Sequence, residues 1–437
     1  MQKSLYVVRA LAAQGYRVVL VEERGWNLCA TRFSNAVQCF HPVPGGGGRE
    51  YVDALVAIAL SEKVSLFVPC SGAGTTVDDA QAADLMREKS GGRIRTLIQD
   101  AELAATLHEK DRFIDLVHEL DLAAPESRIV RSPEAALEYL RAQDLSKGGV
   151  LLKAATVLDD VGRADMTTYP LLSPSGQPDW SATEKRLRRG LAIPIAKDTP
   201  YIAQEFIGGI GASEWCTHAT VWEGEVVAFV CCPSNDMLMT YHNATQTEIG
   251  RLALAWTRTF LERLAKHPQW THARLNGQFS LDFIHQPASE RLVVIECNPR
   301  VHTAVCLLQG SSAAFGAALA GRSEKIVLPG SRVTAISWLG HDLIARILPR
   351  VLPAGYGRSL YGAAFVSNSA QADAKDLDVP SYNLEQVGRD GAWLASDPIA
   401  FLAFYHLQWP WLLLRQAVVR RRSWSRLNLS TARIFEC

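Results

Sequence analysis

Asp282, Glu296 and Asn298 are oxygen-bearing side chains set into two otherwise apolar runs, and oxygen donors at that spacing can hold a divalent cation. The stretch GQFSLDFIHQPASERLVVIECNPR, Gly277 to Arg300, reads as a β-hairpin. Period-two alternation sets Ser280, Asp282 and Ile284 on one face of its first strand and Val294, Glu296 and Asn298 on one face of its second. With the turn centred on Ala288, Asp282 lies opposite Val294 and diagonal to Glu296, so two carboxylates and an amide oxygen converge. That trio suits Mg2+, with Mn2+ as a substitute, and such an ion completes its shell with water and nucleotide phosphates. The plain alternative is a solvated hairpin with ordinary surface acids. Carboxylates inside apolar strands, followed by Asn298-Pro299-Arg300, favour the metal. Arg300 is placed to clamp a transferring phosphoryl group. Cys297, between two of the proposed ligands, should face the core.

Two lysines stand where phosphates would need them: Lys110, opening a helix, and Lys153, ending the apolar run Gly149-Val150-Leu151-Leu152. A third group lies in the run YIAQEFI, whose last residues Gln204, Glu205, Phe206 and Ile207 end a strand that leads into Gly208-Gly209-Ile210-Gly211 and Glu214. Backbone groups at such a strand end can read an adenine edge, with Glu205 near the base and Glu214 on ribose hydroxyls. Alone, each of these features is equally a surface lysine or a strand with a loop. Arg163, after Lys153, is a further candidate for a phosphorylated intermediate. His218 and His302 could orient a substrate or accept an amine proton, although a hydrogen-bonded structural histidine reads the same way.

The elements that must position these residues follow from the periodicity. Ser4 to Gln14 is helical, Arg17 to Glu22 is a short strand, Glu50 to Glu62 is a helix and Ser65 to Pro69 a buried strand, an alternation that implies a parallel sheet with crossover helices. Such a unit opens with a strand and a glycine-bearing loop, whereas here the reading begins at the helix, so the first strand is missing from it. Gly45 to Gly48 lacks the lysine and hydroxyl of a phosphate loop and reads as a connector. From Glu102 the run ELAATLHEKDRFIDLVHELDL is helical. Strands follow at Val150 to Ala155, Tyr201 to Ile207, Cys216 to Trp222, Glu225 to Cys232, Gln278 to Ile284 and Leu292 to Cys297. Beyond about Ile326 the pattern is mostly helical, with a polar loop at Ser367 to Asp376.

Composition sets the outer limits. A chain of 437 residues has length for about three domains of roughly 150 residues. Lys+Arg and Asp+Glu are both 45, so no basic excess points to nucleic acid, and any anion site must be local. A 48% hydrophobic and 21% charged content excludes disorder. The nine cysteines are scattered with no C-x-x-C, which reads as reduced thiols in a cytoplasmic protein. The uncharged segment Pro398 to Leu414 holds His406, Gln408 and Pro410, and reads as a buried or amphipathic helix rather than a membrane span.

Together these pieces resemble the ATP-grasp fold from roughly Glu102 to Ala320, through Glu109-Lys110-Asp111, Leu152-Lys153, QEFI followed by Glu214, and Asp282 with Glu296-Cys297-Asn298-Pro299-Arg300. The resemblance implies an α/β and α+β architecture. A Rossmann-like α/β domain lacking its first strand covers residues 1–105, the ATP-grasp domain 106–325, and a mostly helical C-terminal region 326–437. It also implies ATP and magnesium as cofactors. Lys110 and Lys153 would lie on phosphates, Gln204 to Ile207 at adenine and Glu214 at ribose, with Asp282, Glu296 and Asn298 on the metal. Over nearly the full length, the segments VLVEERGWNLCATRFSNAV, LDDVGRADM, EWCTHATVWEGEV, IECNPRVHTAV and SDPIAFLAFYHLQWPWLLL are similar to the mycosporine-glycine synthase family. Members of that family join glycine to 4-deoxygadusol. One departure is Ser280, where many carboxylate ligases of this fold carry arginine. The partners implied are these small molecules and a possible second copy of the chain. Alternatives are another ATP-grasp ligase acting on a true carboxylate, or a nucleotide-binding or membrane-peripheral protein without turnover.

Overall fold

Caps and breaks in the sequence decide where the helices begin. Ser132, with Pro133 behind it, accepts a hydrogen bond from the Ala135 N–H; Asp179 does so from Ala182, and Thr247 from Gly250. The computed structural model describes residues 2–144, 148–154, 167–209, 211–234, 240–287, 291–342, 389–421, 424–428 and 433–436.

In chain order the first elements are α1 (Lys3–Ala12), β1 (Val18–Glu23), β2 (Val37–Val43), α2 (Gly48–Ser61), β3 (Leu66–Phe67), α3 (Thr76–Lys89), β4 (Arg95–Thr96) and α4 (Ala101–His108). Then come α5 (Lys110–Glu119), β5 (Ser127–Val130), α6 (Pro133–Ala142), β6 (Val150–Ala154), β7 (Thr168–Tyr169), α7 (Trp180–Arg189) and β8 (Tyr201–Glu205). Next come β9 (Ser213–Trp222), β10 (Glu225–Pro233), β11 (Thr240–His242), α8 (Glu248–Lys266), β12 (Gly277–Gln286), β13 (Arg291–Asn298), α9 (Ser312–Leu319) and β14 (Ala335–Ser337), with shorter elements after them.

The chain forms two compact units. One holds Met1–Ala105, Cys216–Ser280 and Asn298–Cys437; the other holds Thr106–Trp215 and Leu281–Cys297. In the first, β1 and β2 run parallel, as do β3 and β4, each pair standing as a separate two-stranded sheet. Strand β2 has no counterpart in the sequence reading, because Gln38, His41 and Pro42 interrupt its alternation. The C-terminal segment packs into this same unit. Asp397, 1% exposed, accepts from Arg9 Nε at 2.8 Å, Ser34 Oγ at 2.6 Å and the Asn35 N–H at 2.9 Å. Gln408 Oε1 accepts the Ala30 N–H, and Phe404 and Trp409 join the core cluster with Leu5, Tyr6 and Trp338.

That explains the apolar tail: its helical turns Pro398–Ala403 and Trp409–Leu414 bury one side against the N-terminal helix region. Among the described residues no helix is long and apolar enough to cross a membrane. Among the described residues past Ile326, helical turns alternate with short strands, β14 and Arg389–Asp390 pairing in parallel. The loop expected at Ser367 to Asp376 lies outside the described residues.

In the second unit, antiparallel strands in the order β5-β8-β6-β7 cover a core of Val130, Leu140, Val150, Leu152, Tyr201 and Ala203. The strands β10-β9-β12-β13 form a further four-stranded sheet, of which β10 and most of β9 belong to the first unit.

Candidate functional site

The helix expected from Glu102 onward is two helices. Glu109 adopts extended backbone, φ −82° and ψ 119°, so α4 ends and α5 starts afresh at Lys110. The positive dipole end of α5 therefore lies beside that lysine. The Lys110 ammonium contacts the Glu296 carboxylate of β13, whose side chain is 16% exposed. On β12, Asp282 is half-buried between Leu281 and Phe283, both fully buried, with its Oδ1 shielded from solvent. Cys297 is buried, as the strand alternation requires. The turn expected at Ala288 lies outside the described residues.

Strands β6 and β8 pair with Leu151 opposite Gln204 and Lys153 opposite Ile202. Lys153 reaches across to donate from Nζ to Gln204 Oε1 at 3.0 Å. Past the strand end, Phe206 donates its N–H to the Gly149 carbonyl at 2.9 Å, and Ile207 is buried. Gln286 Nε2 donates to the Gly208 carbonyl at 2.9 Å, fastening this segment to β12. A Cβ at Gly208 would stand 2.3 Å from the Phe206 ring, so any larger residue there requires that ring to move. Glu205 turns its carboxylate onto the Glu126 N–H at 3.2 Å. Glu214 is exposed on β9. Arg163 lies outside the described residues.

In the first unit, Arg300 Nη2 donates to Asn298 Oδ1 at 2.5 Å, and its N–H to the Asn298 carbonyl at 2.7 Å. The Arg300 carbonyl accepts from Ser280 Oγ at 2.9 Å. Ser280 and His218 are both fully buried and stand 3.2 Å apart. His218 Nδ1 accepts the His302 N–H at 3.3 Å, which puts the ring proton on Nε2, facing Thr220 Oγ1 at 3.4 Å. Thr220 in turn donates to Gln278 Oε1 at 2.8 Å.

Burial first, and the nearby His302 and Lys3 next, push the His218 pKa down to about 3. His218 has no exposed surface and is bonded to Ser280 and the His302 N–H. His302 Nδ1 accepts the Ala304 N–H and caps the turn that follows. Lys3 was missed by sequence reasoning. It is buried, donates to the Ser71 carbonyl at 2.6 Å, and is pushed down to about 7 by burial and then by Arg300. Gln286 was missed too, although alternation puts it on the Asp282 face.

No family model and no curated protein matches the chain. Solved structures do. The biotin carboxylase domain dimer of Hydrogenobacter thermophilus 2-oxoglutarate carboxylase, in complex with MgADP, ADP and bicarbonate, matches with TM-score 0.52 and 13% identity over 75% of this chain and 69% of that one. N5-carboxyaminoimidazole synthetase from Staphylococcus aureus matches with TM-score 0.51 and 13% identity over 74% and 75%. Biotin carboxylase from Campylobacter jejuni, as a β,γ-ATP complex, matches with TM-score 0.51 and 14% identity over 73% and 69%.

The chain has the ATP-grasp fold. At this identity the likeness concerns the fold alone. Within the second unit, Lys110 contacts Glu296 and Lys153 contacts Gln204.

Proposed function

We propose that this chain is an ATP- and Mg2+-dependent ligase that activates an oxygen acid by phosphorylation and joins it to an amine, releasing ADP and phosphate. The observation that carries the reading is the contact of Lys110, at a helix N-terminus, with Glu296, on the strand neighbouring that of Asp282. A carboxylate set against a cation, with a second hard oxygen donor on the adjacent strand, fits Mg2+. Asp282, Glu296 and Asn298 would hold it. The ion, when bound, screens the phosphate charge that builds up during transfer. Lys110 and Lys153 bind phosphate oxygens as point charges, and Phe206 and Ile207 flank the base. Arg300, its planar guanidinium held by Asn298, binds the phosphorylated acceptor. The fold neighbours described with MgADP or a β,γ-ATP complex support nucleotide use.

For the acceptor we infer 4-deoxygadusol, and for the amine glycine. The support is the likeness in segments outside the shared fold, above all the tail around Asp397, and the hydroxyl at position 280. That position is filled by a buried Ser280 bonded to the Arg300 carbonyl rather than by a guanidinium. The enol of 4-deoxygadusol, conjugated to a ketone, is a vinylogous acid. Its oxygen attacks the γ-phosphorus as the bond to ADP breaks. The amine lone pair then adds to the carbon bearing the phosphoryl oxygen, phosphate leaves, and the nitrogen loses a proton.

A second reading, a true carboxylate as acceptor, is favoured by the neighbour that holds bicarbonate. Incubation with ATP, Mg2+, glycine and either 4-deoxygadusol or simple carboxylates separates them. A red shift in ultraviolet absorption as enaminone replaces enol supports the first; product only with carboxylates overturns it in favour of the second.

A further inference from the structure

Cys39 and His41 stand two residues apart on β2, so their side chains project from one face of the strand. Helix α2 follows β2 in the chain, and its C-cap residue, Glu62, comes back against that pair. His41 Nε2 lies 2.6 Å from Glu62 Oε1 and 3.2 Å from Cys39 Sγ, and Cys39 Sγ lies 3.6 Å from the same carboxylate oxygen. A nitrogen, a sulfur and an oxygen donor thus form one small triangle within the first unit. The second carboxylate oxygen, Oε2, is held by Arg17 Nη2 at 2.5 Å, which keeps Oε1 turned toward Cys39 and His41.

Hydrogen bonding alone accounts poorly for this set. A carboxylate at the C-terminus of a helix meets the negative end of the dipole and calls for a cation. Arg17 supplies one, but its side chain is 56% exposed and lies on the far oxygen. A thiol is a weak donor, and 3.6 Å is a long reach to a carboxylate. Most of the described cysteines are buried, whereas Cys39 is half-buried beside a half-buried histidine.

We propose that Cys39, His41 and Glu62 bind a transition-metal ion of the Zn2+ class. The site uses none of the residues of the proposed ligase reaction and is independent of that reading. Thiolate and imidazole donors select Zn2+ over Mg2+, which takes oxygen. With bonds of about 2.0–2.3 Å, the donor atoms of a tetrahedral zinc site stand roughly 3.3–3.6 Å apart. Both distances to sulfur are already near that range, so only the His41–Glu62 pair has to open as the ion takes the place of the proton between them. Binding releases the Cys39 thiol proton to solvent, and the neutral His41 ring keeps its proton on Nδ1. The thiolate and the carboxylate together balance a dication. Three protein donors leave a fourth position for water, and the 33% exposure of the His41 side chain keeps the site within reach of solvent.

The test titrates Co2+, a spectroscopic substitute for Zn2+, into the untagged full chain after chelator treatment, with Mg2+ in excess throughout to occupy oxygen-only sites. One equivalent should bind and give thiolate-to-cobalt charge-transfer absorption with the intense visible bands of tetrahedral cobalt, and Zn2+ should abolish both. Cys39→Ser should remove the charge-transfer band. His41→Gln should weaken Co2+ binding about a hundredfold or more, beyond the cost of losing an outer partner of a ligand. Metal-free melting temperatures of both variants, close to that of the parent, check that the fold persists. Zinc-edge X-ray absorption on the unaltered chain needs no variant and should show one sulfur with nitrogen and oxygen neighbours. Absence of the charge-transfer band, its survival in Cys39→Ser, or a zinc shell with no sulfur or with several overturns the proposal.

Discussion

The chemistry proposed here depends on a few charged side chains in otherwise apolar strands. Asp282 and Glu296 were legible because carboxylates interrupt an alternating apolar run, and that pattern has few structural uses. The bonds of His218 to Ser280 and of Thr220 to Gln278 were not legible, because each joins elements distant in sequence. Replacing Asp282 by Asn keeps shape but removes a charge from the proposed metal set. Turnover should fall by at least about a hundredfold with the melting temperature nearly unchanged, measured by steady-state assay and thermal unfolding. Lys153→Met should weaken ATP binding without affecting binding of the acceptor, read by calorimetry.

His218 carries a pH signature. Its pKa is about 3 folded against 6.5 for an ordinary histidine, so between those values the unfolded chain binds the extra proton. Stability therefore rises with pH across that window and is lost as pH falls through it. Asp79, its carboxyl pushed up to about 7 by burial, acts in the opposite direction between 3.8 and about 7. The two are separated by variant: in denaturant titrations His218→Gln should lose less stability than the parent on going from about pH 6.5 to about pH 4.

Among the elements, strand positions were read almost to the residue where alternation or burial is strong, as in β8, β10, β12 and β13. They were missed where it is broken, as in β2. The split of one expected helix into α4 and α5 escaped the sequence because nothing in Leu107 to Asp111 is a helix breaker; the extended Glu109 is set by tertiary packing. That break is what gives Lys110 its place at a helix start. Close packing of α1 on α9 is equally invisible in sequence, since a Cβ on Gly316 would stand 2.0 Å from the Ala10 carbonyl oxygen. Gly316→Ala should cost about 1–3 kcal/mol or more in chemical denaturation, with the helices forced apart.

For the whole molecule, the apolar tail that raised the question of a membrane span belongs to the same compact unit as residues 1–105. The buried pair of Arg9 and Asp397, with side chains 4% and 2% exposed, ties it there. Asp397→Ala leaves the guanidinium buried without its carboxylate, and unfolding experiments should show a loss of about 3–5 kcal/mol. The ATP-grasp fold and the proposed phosphate and metal residues lead to one claim, that ATP is cleaved only to form a carbon–nitrogen bond. The most direct measurement is ADP released per product formed by the full chain with ATP, Mg2+, 4-deoxygadusol and glycine, omitting each component in turn. The account predicts one ADP per product and no ADP when acceptor or amine is left out. ADP release that ignores both substrates, or product formed without ATP, would contradict it.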